Sequence, residues 1–224
     1  MKAIGITKTA AIAVAVLVCA WAFPATAGVA DLGLGWQASW DASLDGLVDV
    51  NASEVNGVLF IEKSAQFQQG PVNGVFPSIV IQFQQVASPA TTSIVIDDEI
   101  ITNSTGTGWT DFHIGLVDTS GGTVFNPVKT LAAGGTGPIH WTIAPFLQAA
   151  FSTDLLSLDI WDGVLPNGAN WFPGSGAQDG QLWIDLTPNP NNTASFVLVE
   201  TPTPEPATLS LLALGGLALI RRRR

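Results

Sequence analysis

Apolar residues in this chain recur in short runs, several with strict alternation, separated by clusters of glycine, proline, asparagine and serine. The runs cover 35–40, 58–65, 78–86, 93–102, 109–117, 139–143, 155–161, 181–186 and 195–200. In 109–117, Phe112, Ile114 and Leu116 point one way and Asp111 and His113 the other; in 181–186, Leu182, Ile184 and Leu186 oppose Trp183 and Asp185. A period of two is that of a strand with one buried face. No stretch carries a long helical period, and only 144–152 suits a short helix. Short strands separated by turn residues predict an all-β fold, a single β-sandwich or jelly-roll-like domain.

The two ends read differently. Lys2 and Lys8 frame a short positive region, an apolar run follows over 10–22, and Ala25 and Ala27 stand at −3 and −1 before Gly28. This is the layout of a signal peptide removed by signal peptidase, so 1–27 is expected to be lost on export. At the other end, a Pro-rich linker at 201–206 precedes 14 uncharged residues at 207–220 and then Arg221, Arg222, Arg223 and Arg224. As a transmembrane helix those residues reach about 21 Å, against roughly 30 Å of hydrocarbon. The arginines would stay on the cytoplasmic side. The expected division is therefore 1–27 signal peptide, 28–200 sandwich, 201–206 linker and 207–224 short helix with its arginine cluster. The tail would hold the chain only transiently in the inner membrane.

Pro204, Glu205 and Pro206, the Leu/Gly-rich span and Arg221–Arg224 together resemble the PEP-CTERM sorting signal. The resemblance implies recognition and processing by an exosortase, an integral-membrane enzyme, and delivery to the cell surface or the extracellular space. It brings no activity for the body. The stretches 35–41 and 109–113 resemble segments of other uncharacterised proteins with this tail.

Charge narrows the choice of partners. From 28 to 204 the chain has seventeen acidic residues against Lys63 and Lys129 alone, a formal charge of −15. Such a body cannot neutralise a track of phosphates, which excludes nucleic acid, and it is repelled by anionic polymers. The only cysteine, Cys19, lies in the leader, so the body has no thiol or disulfide.

Candidate chemistry is sparse. Asp111 and His113 share a strand face, but no serine or cysteine motif accompanies them, and an ordinary surface pair is the reading preferred. Paired carboxylates for glycoside hydrolysis have no motif to fix them, although Asp159 and Glu200 lie in strand-like runs. No catalytic residue and no cofactor are assigned. Asp41, Ser43, Asp45 and Asp49, with Gly46, match the first part of a calcium loop, yet position 12 is Ala52 where a bidentate acid is required. The segment is read as a polar turn, and Asp97-Asp98-Glu99 as a second acidic knot. Seven tryptophans remain in the body, most suited to a core. Trp171 and Phe172 differ, lying in the Gly/Pro/Asn-rich stretch 163–180 between Asp162 and Asp179, and are expected to face solvent as a contact for a neutral extracellular polysaccharide. The function expected is that of a non-catalytic surface or matrix protein. A carbohydrate-binding module is the alternative, and a secreted hydrolase comes third.

Overall fold

The computed structural model describes residues 28–117, 122–135, 137–174 and 180–204. The leader with Ala25 and Ala27, Asp179, and the tail from Glu205 through Pro206 to Arg221–Arg224 lie outside the described residues.

The chain folds as the all-β sandwich that its alternation predicts. The strands are β1 (Gly28–Gly33), β2 (Trp36–Trp40), β3 (Val48–Val55), β4 (Val58–Phe67), β5 (Ile79–Gln85), β6 (Ser93–Asn103), β7 (Trp109–Val117), β8 (Val124–Phe125), β9 (Gln148–Phe151), β10 (Ser157–Trp161), β11 (Asn170–Trp171), β12 (Leu182–Asp185) and β13 (Ser195–Pro204). One sheet runs β1-β2-β5-β13-β7-β10-β9; the other runs β3-β4-β6-β12-β8, with β11 added on β6. All pairings between these strands are antiparallel except β4 with β6.

Local chemistry sets the hairpins. Asn56 and Gly57 both take left-handed backbone angles, φ 52° and 78°, and close a two-residue turn between Val55 and Val58. Asn-Gly is the pair that such a turn favours, because its twist matches that of the strands it joins. The inward phases of β2, β5, β7, β10 and β13 supply Trp36, Ile81, Phe112, Ile160 and Phe196, which join Leu59, Ile61, Ile96 and Ile184 of the other sheet in one apolar core. Phe83 stacks on Phe196 at 4.6 Å, and Phe67 meets Trp109 edge-on at 5.1 Å.

Four local details differ from expectation. The stretch 144–152 forms no helix; its second half is β9, paired with β10, where sheet pairing overrides a weak helical preference. The run 139–143 buries Trp141 and Ile143 as alternation suggests, but His140 has φ 58° and breaks the extended backbone, leaving an isolated bridge from Trp141 to Gly180. A short helix, α1 (Pro127–Ala132), starts with proline in its first turn and is capped by Asn126, whose side chain accepts from the Lys129 N–H. The last strand also runs four residues beyond the boundary drawn at 200, so 201–204 belong to the sheet and not to a free linker.

Candidate functional site

Strand β13 carries the chain from the core to the tail. Val197–Glu200 pair with both β5 and β7, whereas Thr201–Pro204 pair with β7 alone. Phe196, Leu198, Glu200 and Pro202 form the buried phase. On the outer face, Ser78 Oγ lies 2.6 Å from Thr201 Oγ1. His113 on β7 places Nε2 3.0 Å from Thr203 Oγ1 and Nδ1 2.8 Å from Asp159 Oδ1 on β10. Three strands are thereby fastened at the point where the chain leaves the domain. The partner of His113 is Asp159; Asp111, which shares its strand face, lies opposite Thr203 in the register.

A second constellation lies in the core. Lys63 on β4 and Glu99 on β6 are register partners, and Glu200 reaches them from the opposite sheet. All three are buried. Lys63 Nζ donates to Glu99 Oε1 directly and to Glu200 Oε1 at 2.5 Å. The Oε2 atoms of both glutamates are buried without a hydrogen-bond partner. Burial, and then the Glu200 charge, push the Glu99 carboxyl up to about 8. Burial acts to lower Lys63, but the carboxylates of Glu200 and Glu99 outweigh it and raise it above the ordinary lysine value.

A bulge makes this cluster. Ile94 and Ile96 face inward, the β4–β6 register shifts between Ile61 and Glu62, and Glu99, Ile101 and Asn103 then take over the inward phase. One extra residue reverses the parity of a strand. Asp97 and Asp98 occupy the irregularity, Asp97 accepting from Gln181 Nε2 at 2.9 Å. Asp97-Asp98-Glu99 reads in the sequence as one acidic knot, but Glu99 turns inward, away from its two neighbours. Lys63 and Glu200 left a signal: each sits in the apolar phase of an alternating run, Lys63 among Leu59, Ile61, Ala65 and Phe67, and Glu200 after Phe196 and Leu198.

The expected aromatic platform does not form. Trp171 is 1 % exposed, pairs through β11 with Ile101, and meets Phe112 and Phe146 edge-on at 5.0 Å each. Only Phe172 turns outward, at 47 % exposure. The surrounding glycines and prolines shape a stretch that inserts its tryptophan into the core, so Trp171 does not face solvent as expected. The calcium-like segment is committed to local structure. Asp41 Oδ1 accepts from the Ser43 N–H at 2.8 Å and caps a short 3-10 helix, Ala42–Leu44. That hydrogen bond lowers the Asp41 pKa. Asp45 bridges to Val48, and Asp49 accepts from Asn51 Nδ2 at 2.8 Å. Among the described residues, no group of three or more His, Cys, Asp or Glu is placed to hold a metal ion.

The tail defines the class. A family model for the PEP-CTERM protein-sorting motif matches residues 202–224, so its first residues, Pro202, Thr203 and Pro204, are the end of β13. The chain is a PEP-CTERM domain-containing protein: exported, transiently membrane-anchored and processed by an exosortase-type membrane enzyme. No curated protein and no solved structure matches it.

Proposed function

We propose that this protein is a non-catalytic component of the cell surface or extracellular matrix, delivered as a folded β-sandwich. The observation that carries the reading is the continuity of the sorting motif with the last strand of the sandwich. With no free linker between domain and motif, the signal presents the folded body itself. The chemistry of the body supports a passive role. Its buried carboxylates, Glu99 and Glu200, are turned onto Lys63 inside the core, and its His–Asp pair fastens strands on an open sheet face. Export in a host with an exosortase-type enzyme, followed by fractionation, tests the proposal. The mature protein should be found at the surface or in the medium without its arginine cluster. A protein remaining full-length in the inner membrane would refute it.

The carbohydrate-binding alternative would have to use Phe172 and Trp161, the large exposed aromatics at 47 % and 39 %, since Trp171 lies in the core. A pull-down with neutral polysaccharides, comparing wild type with Trp161→Ala and Phe172→Ala, tests it. Binding that neither change weakens would overturn the assignment to these rings.

A further inference from the structure

Of the two basic residues between 28 and 204, one is placed where charge is least tolerated. Lys63 is flanked in its sheet by Val50 and Glu99, and Glu200 in the other sheet by Ile79 and Ile114. Val50, Ile79 and Ile114 are themselves buried, so the three ionisable groups lie in a sealed apolar layer. Lys63 Nζ touches both carboxyls, and each carboxyl keeps one oxygen with nothing to bond. As a set of separated charges this cluster is costly, because burial strips water from every member and the unpaired oxygens recover none of the loss. The same contacts place an amine nitrogen against a carboxyl oxygen, one bond from the carbon it would attack, with a second carboxylate positioned to carry protons.

We propose that Lys63 and Glu99 condense into an intramolecular amide, Nζ to Cδ, with Glu200 as the proton carrier. Glu99 is the acyl donor because burial keeps its carboxyl protonated up to about pH 8, and a neutral acid accepts an amine where a carboxylate does not. Lys63 rests as an ammonium and must first lose a proton to Glu200, 2.5 Å away. The amine then attacks Glu99 Cδ. Its surplus proton passes to the carbonyl oxygen, and Glu200 protonates a departing hydroxyl. A C–N bond forms, a C–O bond breaks and one water leaves. Glu200 recovers a proton from the remaining hydroxyl as the amide carbonyl is restored, and ends as a neutral acid beside the new bond. No oxidant, reductant or cofactor is needed, and the charges in the core are gone. The amide ties β4 to β6 in a body that has no cysteine for a disulfide. A link that closes a loop in this way restricts the unfolded chain.

Peptide mapping of the full chain, purified from an exporting host and denatured, tests the bond. Trypsin should fail to cut after Lys63 while cutting after Lys129. A single peptide running uncut through Lys63 to Lys129 should appear, lighter by one water, with fragmentation placing an internal loop between Lys63 and Glu99. The Glu200→Gln chain, checked for fold by circular dichroism, should keep both side chains free and release the normal peptides. Cleavage after Lys63 with no loss of water in the wild-type protein overturns the proposal whether or not the variant folds. A link on Glu200, or a bond that still forms in the folded Glu200→Gln chain, overturns the roles assigned.

Discussion

Thr203 Oγ1 lies 3.0 Å from His113 Nε2, holding the end of β13 to β7 one residue before Pro204. This contact lies inside the matched sorting motif, so the first residues of the signal are also structural residues of the sandwich. Removing 201–204 would take the pairing partners from Trp109, Asp111, Phe112 and His113. The mature protein should therefore retain Pro204, and C-terminal sequencing of secreted material should show it. A mature end at or before Thr201 would contradict the pairing.

The fastening itself is modest. His113 and Asp159 are both substantially exposed, and exposed side-chain pairs of this kind contribute about 0–1 kcal/mol. Asp159→Asn should lower unfolding free energy by no more than about 1 kcal/mol in urea titration. A larger loss would give the line from Asp159 to Thr203 a role that its exposure does not explain.

Trp171 and Phe172 are neighbours in sequence with opposite fates. Trp171→Ala empties a fully enclosed site between Phe112 and Phe146 and should cost about 3–5 kcal/mol. Phe172→Ala should stay within about 0.5 kcal/mol, as surface changes do. Equilibrium denaturation of the two variants side by side checks both values, and equal small effects would return Trp171 to the surface.

These aromatics mark where the sequence is legible and where it is not. Alternation in 109–117 and 181–186 identifies β7 and β12 with the correct inward residues, because a period of two reports directly on a half-buried strand. The β3–β4 hairpin was missed, although Asn56-Gly57 is a strong turn signal, because β3 mixes Asp49, Asn51, Ser53 and Glu54 into an exposed edge strand. Trp171 was misjudged because its two-residue strand is too short to show a period. Glu99 was misjudged for a different reason: a bulge reverses strand parity, and its position depends on the partner strand. The tail was readable because its proline, apolar and arginine blocks are defined by composition and order alone.

Glu99 makes the pH response specific. Its ordinary value is 4.5 and its folded value about 8, raised first by burial and then by the Glu200 charge. Between those values the folded chain holds a proton that the unfolded chain has released, so stability from this group falls as pH rises through the window and levels off above it. An amide to Lys63 removes Glu99 from titration. Burial still raises Glu99 in the Glu200→Gln chain, whose melting temperature should fall as pH rises between about pH 5 and about pH 8. A flat response there would show that Glu99 is not held protonated in the fold.

Sorting depends on the tail as an ordered set. Replacing Glu205 and Arg221–Arg224 should leave an unprocessed precursor in the membrane fraction, detected by immunoblotting against the sandwich. Normal release of that variant would remove the exosortase-type step from the account.

The most direct test is the intact mass of the mature protein recovered from its native envelope or medium. The account predicts a chain beginning at Gly28 and ending between Pro204 and Ala207, lacking all four arginines. A mature mass that still includes Arg224 would contradict it.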